Sequence, residues 1–277
     1  MSFFHQFPKI DYDFFNRGVN YQITDFFRHV NVDYAFLDDI SAYAFYQVRN
    51  GERPDVVSMR LYGTPQYYWT FFVINDHLKS GIANWPLSQE AFEDYIRIEY
   101  NGYAINSRVQ IIIDSAGEKL YTNTLADEFP IGTRVSATYS DGINSSINSS
   151  GTIYARNPQL SQLVIKDVTQ DPTVTEPGPL FVNNGKIVSE NDEITIQSWL
   201  DYRNATHHFE DADGNTVYNS YFFDSSESTP LAPQNLTNVT NFEYETSLND
   251  ARSDIRVIRP ELIQQFANRY RTLINAN

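Results

Sequence analysis

The chain has 277 residues, with 35 acidic against 20 basic side chains and a net charge of −15. Phosphate backbones and anionic membrane surfaces repel such a surface, because binding them needs clustered Lys and Arg. It has no cysteine, which excludes disulfide scaffolds, thiolate nucleophiles and Cys-ligated zinc or iron–sulfur centres. Hydrophobic residues at 41% and charged residues at 20% are globular values, and aromatics at 15% imply a well-filled core or a large contact surface.

Residues 1–50 read as an extended N-terminal arm. Its start, MSFFHQFPKIDYDFF, has neither a basic n-region nor a continuous apolar stretch, so it is not expected to be a secretory signal. Phe3, Phe4, Phe7, Phe14 and Phe15 are scattered without a helical period, and an arm this apolar must lie on its own core or on a partner. Thr24 reads as the N-cap of a short helix over 25–30 that includes Phe26 and Phe27. Residues 42–48 alternate and predict a strand.

Asn50-Gly51 predicts a turn, Pro54 a helix start and Gly63 its C′ stop. Thr64-Pro65 restarts the chain as N-cap and N1 of a second helix running to about Asn75. That helix is apolar almost all round and therefore buried on most sides. Its ring cluster places Tyr62, Trp69 and Phe72 in a core, with Tyr67 or Tyr68 available to a partner. A third helix is predicted from Ser88, with Phe92, Tyr95 and Ile96 on one face.

From residue 104 short strands alternate with Gly, Pro, Asn and Asp. Runs at 109–113, 134–139, 152–155, 163–168 and 186–188 predict a compact all-β barrel, with 193–199 closing it or leading out. Asp211-Ala212-Asp213-Gly214-Asn215 predicts a hairpin turn. It is not a calcium loop, since position 12 counted from Asp211 is Phe222 rather than Glu. His207 and His208, as strand neighbours, are expected on opposite faces and unable to share a metal. Residues 223–241 read as a surface loop. Pro260 opens a last helix with an apolar stripe of Leu262, Ile263, Phe266, Tyr270 and Leu273.

Neither G-x-S-x-G, G-x-x-x-x-G-K-[ST] nor H-E-x-x-H occurs in the sequence. No catalytic residue, metal ligand or cofactor is predicted, and the chain is read as a non-enzyme.

The order strand, turn, helix, Tyr-Gly, second helix and Asn resembles a LysM module. Pro54, Tyr62, Gly63, Pro65, Trp69, Asn75, Asp76 and Trp85 carry that likeness. With Arg53, Gln66 and Tyr68 they are more closely similar to the LysM-like baseplate wedge proteins of T-even-type contractile-tailed phages. Ile23–Arg28 and 244–274, with Asn249-Asp250-Ala251-Arg252 leading into Ile255–Ile258, fit the same family. The likeness covers about residues 20–100 and 205–275 and departs between them.

The fold class expected is therefore α+β. A small LysM-like βαα(β) module at 51–103 follows the arm, an SH3-like β barrel is inserted at 104–200, and 201–277 forms a hairpin, loop and C-terminal helix. That last region is expected to pack back on the first module or on partners. The resemblance implies a structural component of the virion tail baseplate, assembled in the host cytoplasm. Its implied partners are other wedge proteins and a sheath-initiator-like subunit in a six-fold ring, without nucleic acid, membrane or small-molecule substrate. Phe3, Phe4, Phe7, Phe14, Phe15, Phe26, Phe27, Tyr67, Tyr68, Ile258, Leu262, Phe266 and Tyr270 are the candidate partner contacts. Two other readings stay open: a glycan-binding LysM module gripping peptidoglycan or a chitin-type polymer, and a hydrolase using an acid such as Glu90 or Glu93.

Overall fold

A computed structural model describes residues 7–25, 40–107, 110–113, 119–122, 125, 128–140, 145–170, 180–217 and 235–275. In chain order these carry β1 (Lys9–Tyr12), β2 (Tyr21–Thr24), β3 (Tyr43–Gln47), α1 (Pro54–Tyr62), α2 (Trp69–Ile74) and α3 (Gln89–Glu99). Then come β4 (Tyr103–Ser107), β5 (Gln110–Ile113), β6 (Lys119–Thr122), β7 (Arg134–Ser140), β8 (Ser145–Asn157), β9 (Gln162–Gln170), β10 (Lys186–Val188) and β11 (Glu193–Asp201). The order ends with β12 (Thr206–Glu210), β13 (Thr216–Val217), β14 (Thr237–Thr240), α4 (Asn241–Ser253), β15 (Asp254–Ile258) and α5 (Ile263–Asn275). The chain divides into two units, one of residues 1–92 with 247–277 and one of 93–246.

In the first unit β3 pairs antiparallel with β15, Tyr46 opposite Ile255 and Ala44 opposite Val257. Alternation turns those four side chains inward, where they meet Val57, Phe71, Leu78 and Trp85. Helix α1 begins at Pro54, whose missing N–H costs nothing in the first turn. It ends at Gly63, whose left-handed φ of 70° lets its N–H reach the Met59 carbonyl.

The predicted second helix is split. Pro65–Tyr67 forms one 3-10 turn behind the Thr64 cap, and α2 starts only at Trp69. Buried Ser58 tightens this step, donating its hydroxyl to the Thr64 carbonyl while accepting the Tyr67 N–H. Trp69 is 6% exposed and stacks on Phe266 and Tyr270 of α5, in a cluster with Phe7, Ile74, Ile258 and Ile263.

The outer edge of β15 is covered by side chains of the helical segment. Asn75, 4% exposed, accepts the Arg256 N–H through Oδ1 (2.8 Å) and donates Nδ2 to the Arg256 carbonyl (2.9 Å). Tyr62 donates its hydroxyl to the Ile258 carbonyl at 2.9 Å. One amide and one phenol thus do the work of a missing neighbouring strand. Asn249 makes a similar two-point contact with the Leu87 backbone.

The arm is more regular than expected. β1 and β2 form an antiparallel hairpin, Ile10 opposite Ile23, and Asp25 extends it by donating to the Pro8 carbonyl. Thr24 is a strand residue whose backbone belongs to the ladder with Lys9. The rest of the helix expected at 25–30, with Phe26 and Phe27, lies outside the described residues.

In the second unit six strands close a barrel in the order β10-β11-β4-β9-β8-β7, with β10 also pairing β7. Its interior holds Ile105, Val135, Ile153, Leu163, Ile165, Ile187, Ile194 and Ile196 from one face of the alternating strands, with Phe129 and Phe181 added from the connections. Strand β8 crosses β9 closely at Gly151, where an added Cβ would fall 2.5 Å from Ile165 Cγ2. β5 and β6 form a separate two-stranded ladder, and β13-β12-β14 a three-stranded sheet. β14 corrects the expected loop over 223–241. Its residues 237–240 pair with β12, and residues 223–234 lie outside the described set.

Trp69→Ala is expected to lower unfolding free energy by about 3–5 kcal/mol, since it empties a stacked, buried site. Asn75→Leu keeps the volume but leaves the Arg256 N–H and carbonyl unpaired, and should cost about 2–5 kcal/mol. Chemical denaturation of both variants checks this.

Candidate interaction surface

The motif residues Pro54, Tyr62, Gly63, Pro65, Trp69, Asn75 and Trp85 all serve the internal architecture of the first unit. Trp85 is buried and donates its indole N–H to the Glu52 carbonyl at 2.7 Å. Asp76 is exposed and pairs with Lys79 at 2.6 Å, which holds its carboxyl below the usual range. The Glu52 carboxylate is buried. Its Oε2 accepts Tyr46 Oη at 2.7 Å, and its Oε1 lies 2.5 Å from Arg60 Nη1, an ionic contact without good hydrogen-bond alignment. Burial, then Glu52, raises the Tyr46 hydroxyl above its ordinary value.

Candidate partner contacts separate into three groups. Phe3, Phe4, Phe26 and Phe27 lie outside the described residues. Phe7, Ile258, Phe266 and Tyr270 are buried in one cluster, with Tyr67, Tyr68 and Leu262 half-buried against it. Of the two arrangements expected for the last helix, Trp69, Ile74 and Phe7 cover its stripe within the chain, so Phe266 and Tyr270 are not open to a partner as candidate contacts.

Phe14 and Phe15 are different, with 56% and 65% of their surfaces exposed at the tip of the β1–β2 hairpin. Tyr12 and Tyr21 flank Phe14 at centroid distances of 5.0 and 6.2 Å, and Arg17 sits over the Phe15 ring at 5.5 Å. The Asp13 carboxylate shapes the tip, accepting the N–H groups of Phe15 (3.1 Å) and Gly18 (2.6 Å). A fixed turn thus holds several large rings in water, which is unfavourable for an isolated chain and typical of an interface anchor.

A second concave feature of about 610 Å³ lies in the same unit, between 51–55 and 82–88, and includes Tyr68, Ile82 and Trp85. Its walls are chiefly apolar, and the Trp85 N–H is already engaged by the Glu52 carbonyl.

In the second unit the two adjacent histidines converge. Their Nδ1 atoms are 2.8 Å apart, His207 stacks on Tyr244 at 3.8 Å, and His208 Nε2 lies 3.5 Å from Glu210. The expected opposite orientation is overturned by a bulge in β12 between Thr206 and His208, which turns one ring toward the other. One Nδ1 must donate and the other accept, so the pair excludes double protonation at that contact. Burial, then the neighbouring His208, lowers the His207 pKa, with Glu245 opposing.

Glu93 lies 3.4 Å from Arg203, while Glu90 is exposed. Asp211 uses its carboxylate to accept from the backbone of Asp213 and Asn215, shaping the predicted turn. Among the described residues no cluster of three or more His, Asp or Glu could hold a metal ion.

Residues 2–135, nearly half the chain, match the family described as base plate wedge protein 53. The match runs past residue 103 through β4, β5 and β6 into β7, whereas the likeness at 205–275 lies beyond it. It supports a phage baseplate wedge protein. No curated protein matches the chain.

A His pKa below its unfolded value of 6.5 makes the unfolded chain the stronger proton acceptor. Stability is then present above about pH 6.5 and declines as pH falls toward the folded pKa. His77 is lowered too, chiefly by burial, and adds to the same decline. Thermal melts of His207→Gln between pH 7.5 and 5.5 should show a shallower acid loss than wild type. An unchanged slope would remove His207 from the account.

Proposed function

We propose, taking the phage baseplate wedge family of residues 2–135 as premise, that this chain is a structural component joining wedge subunits around the tail tube through protein–protein contacts. The hairpin carries the proposal, because it presents Phe14 and Phe15 to solvent on a turn pinned by Asp13. The described buried and half-buried rings do internal work, whereas the exposed rings of this tip serve as an aromatic anchor for another baseplate protein. Other wedge proteins and a sheath-initiator-like subunit in a six-fold ring are the partners proposed, and the virion tail is the site of action. A LysM-like descent of the segment 51–103 agrees with the Tyr62-Gly63 step and with the role of Asn75.

A glycan-binding reading draws on the concavity beside Tyr68, Ile82 and Trp85. Sugar recognition needs free hydrogen-bonding groups beside an aromatic platform, and the buried, already bonded Trp85 offers neither. The structural reading is favoured.

Phe14→Ser with Phe15→Ser removes exposed rings only, so the melting temperature should change little, each site contributing within about 0.5 kcal/mol. Incorporation of the double variant into tails should fall sharply, measured by its abundance in purified particles. Normal incorporation would remove the hairpin from the interface. Wild-type protein retained on insoluble peptidoglycan would replace the structural reading by the glycan one.

A further inference from the structure

The two edges of the β3–β15 ribbon are treated differently. Ser253 O accepts from Val48 N, and Arg259 N donates to Ala42 O, so the ladder bonds fall on alternate residues of each strand. On β3 these are the even positions 42, 44, 46 and 48, while Tyr43, Phe45 and Gln47 turn their N–H and carbonyl groups away from β15. Outward groups on β15 are met by Asn75 and Tyr62. Among the described residues nothing hydrogen-bonds the outward groups of Phe45 and Gln47, while the 3-10 turn over Ile40–Ala42 takes up the Tyr43 N–H.

Natural edges are protected by Lys, Pro, a bulge or a covering element. Tyr43–Gln47 contains no charge and no Pro, and its register is continuous over all five residues. Phe45 is 76% exposed on the outer face of this ribbon, more than any other large apolar side chain among the described residues. Tyr43 beside it carries Arg256 over its ring at 5.2 Å.

We propose that the β3 edge accepts an extended segment of another baseplate protein by strand addition, with an apolar side chain beside Phe45 and a carboxylate near Arg256 or Arg49. This rests on the baseplate reading and deepens it. Backbone groups of Tyr43, Phe45 and Gln47 supply the ladder, and the aromatic face supplies register.

Charge selects the occupant. Arg49, Arg256 and Arg259 are exposed on the ribbon and its flanks, with Asp254 the acid on the strands themselves and Asp76 and Glu261 beyond them, in a chain whose net charge is −15. An acidic strand is attracted to that spot. A second copy would bring the same cations to the edge and a further −15 to the whole.

The test compares amide exchange in the free chain and in the chain within purified tails. Amides of Ala44 and Tyr46 are expected to be protected in both, and those of Phe45 and Gln47 only in tails. Phe45→Pro removes one outward N–H that the free fold does not use, an edge position where Pro is tolerated. It should melt close to wild type and enter tails about tenfold less. Phe45→Thr keeps the N–H and loses the ring, so it should retain the alternating protection with weaker incorporation.

Unchanged exchange at 45 and 47 in tails, with Phe45→Pro incorporated as wild type, would overturn strand addition while leaving the baseplate reading intact. Wild-type chain absent from tails would overturn both. Concentration-dependent dimers of the free chain, abolished by Phe45→Pro, would assign the edge to a second copy and overturn the proposed occupant.

Discussion

The first unit depends on how one strand edge is satisfied. β15 lies roughly two hundred residues after its partner β3, and a two-stranded ribbon is marginal in water by itself. Asn75 reads both backbone groups of Arg256, and Tyr62 takes the Ile258 carbonyl. These bonds tie the helical segment to the ribbon at fixed register. The stack of Trp69, Phe266 and Tyr270 then fills the space behind α5. Polar pairing specifies the arrangement and ring burial stabilises it. Neither would suffice alone, because stacked rings tolerate sliding and an isolated amide pair contributes only a few kcal/mol.

That division explains what was legible in the sequence. Pro54 and Gly63 act on their nearest neighbours, so the bounds of α1 could be read directly. Alternation likewise exposed β3, β7, β9 and β10, and the barrel follows from several such runs between turn residues. The role of Asn75 could not be read, since its partner Arg256 is 181 residues away. The stripe on α5 was visible, but its cover was not. Trp69 and Phe7 come from distant segments, so burial inside the chain and burial by a partner look alike in one dimension.

Other misses had a local signal that lost to composition. Thr240-Asn241-Phe242-Glu243 is a capping box: Thr240 N donates to Glu243 Oε2 at 2.9 Å and Glu243 N donates to Thr240 Oγ1 at 3.2 Å. It marks the start of α4, yet the Ser, Thr, Pro and Asn preceding it read as loop. β14 had no such signal, because Thr-Asn-Val-Thr lacks an apolar alternation and is held by pairing with β12. The histidine pair was misread for a third reason. Period-two reasoning assumes a regular strand, and the bulge at Thr206/His208 breaks that assumption where the two rings meet.

A net charge of −15 gives the chain no overall electrostatic attraction to other acidic proteins, so charge can act only locally in the proposed assembly. Rings and open backbone edges suit that limit, since neither carries net charge and both are costly to leave in water. In the proposed reading the hairpin tip supplies the first kind of contact and the β3 edge the second. They discriminate differently. A ring accepts many apolar pockets, whereas a strand edge demands an extended, correctly registered segment. Joining a tolerant anchor with a strict one gives affinity from the first and identity from the second, a combination suited to a subunit that must find one neighbour among many similar surfaces.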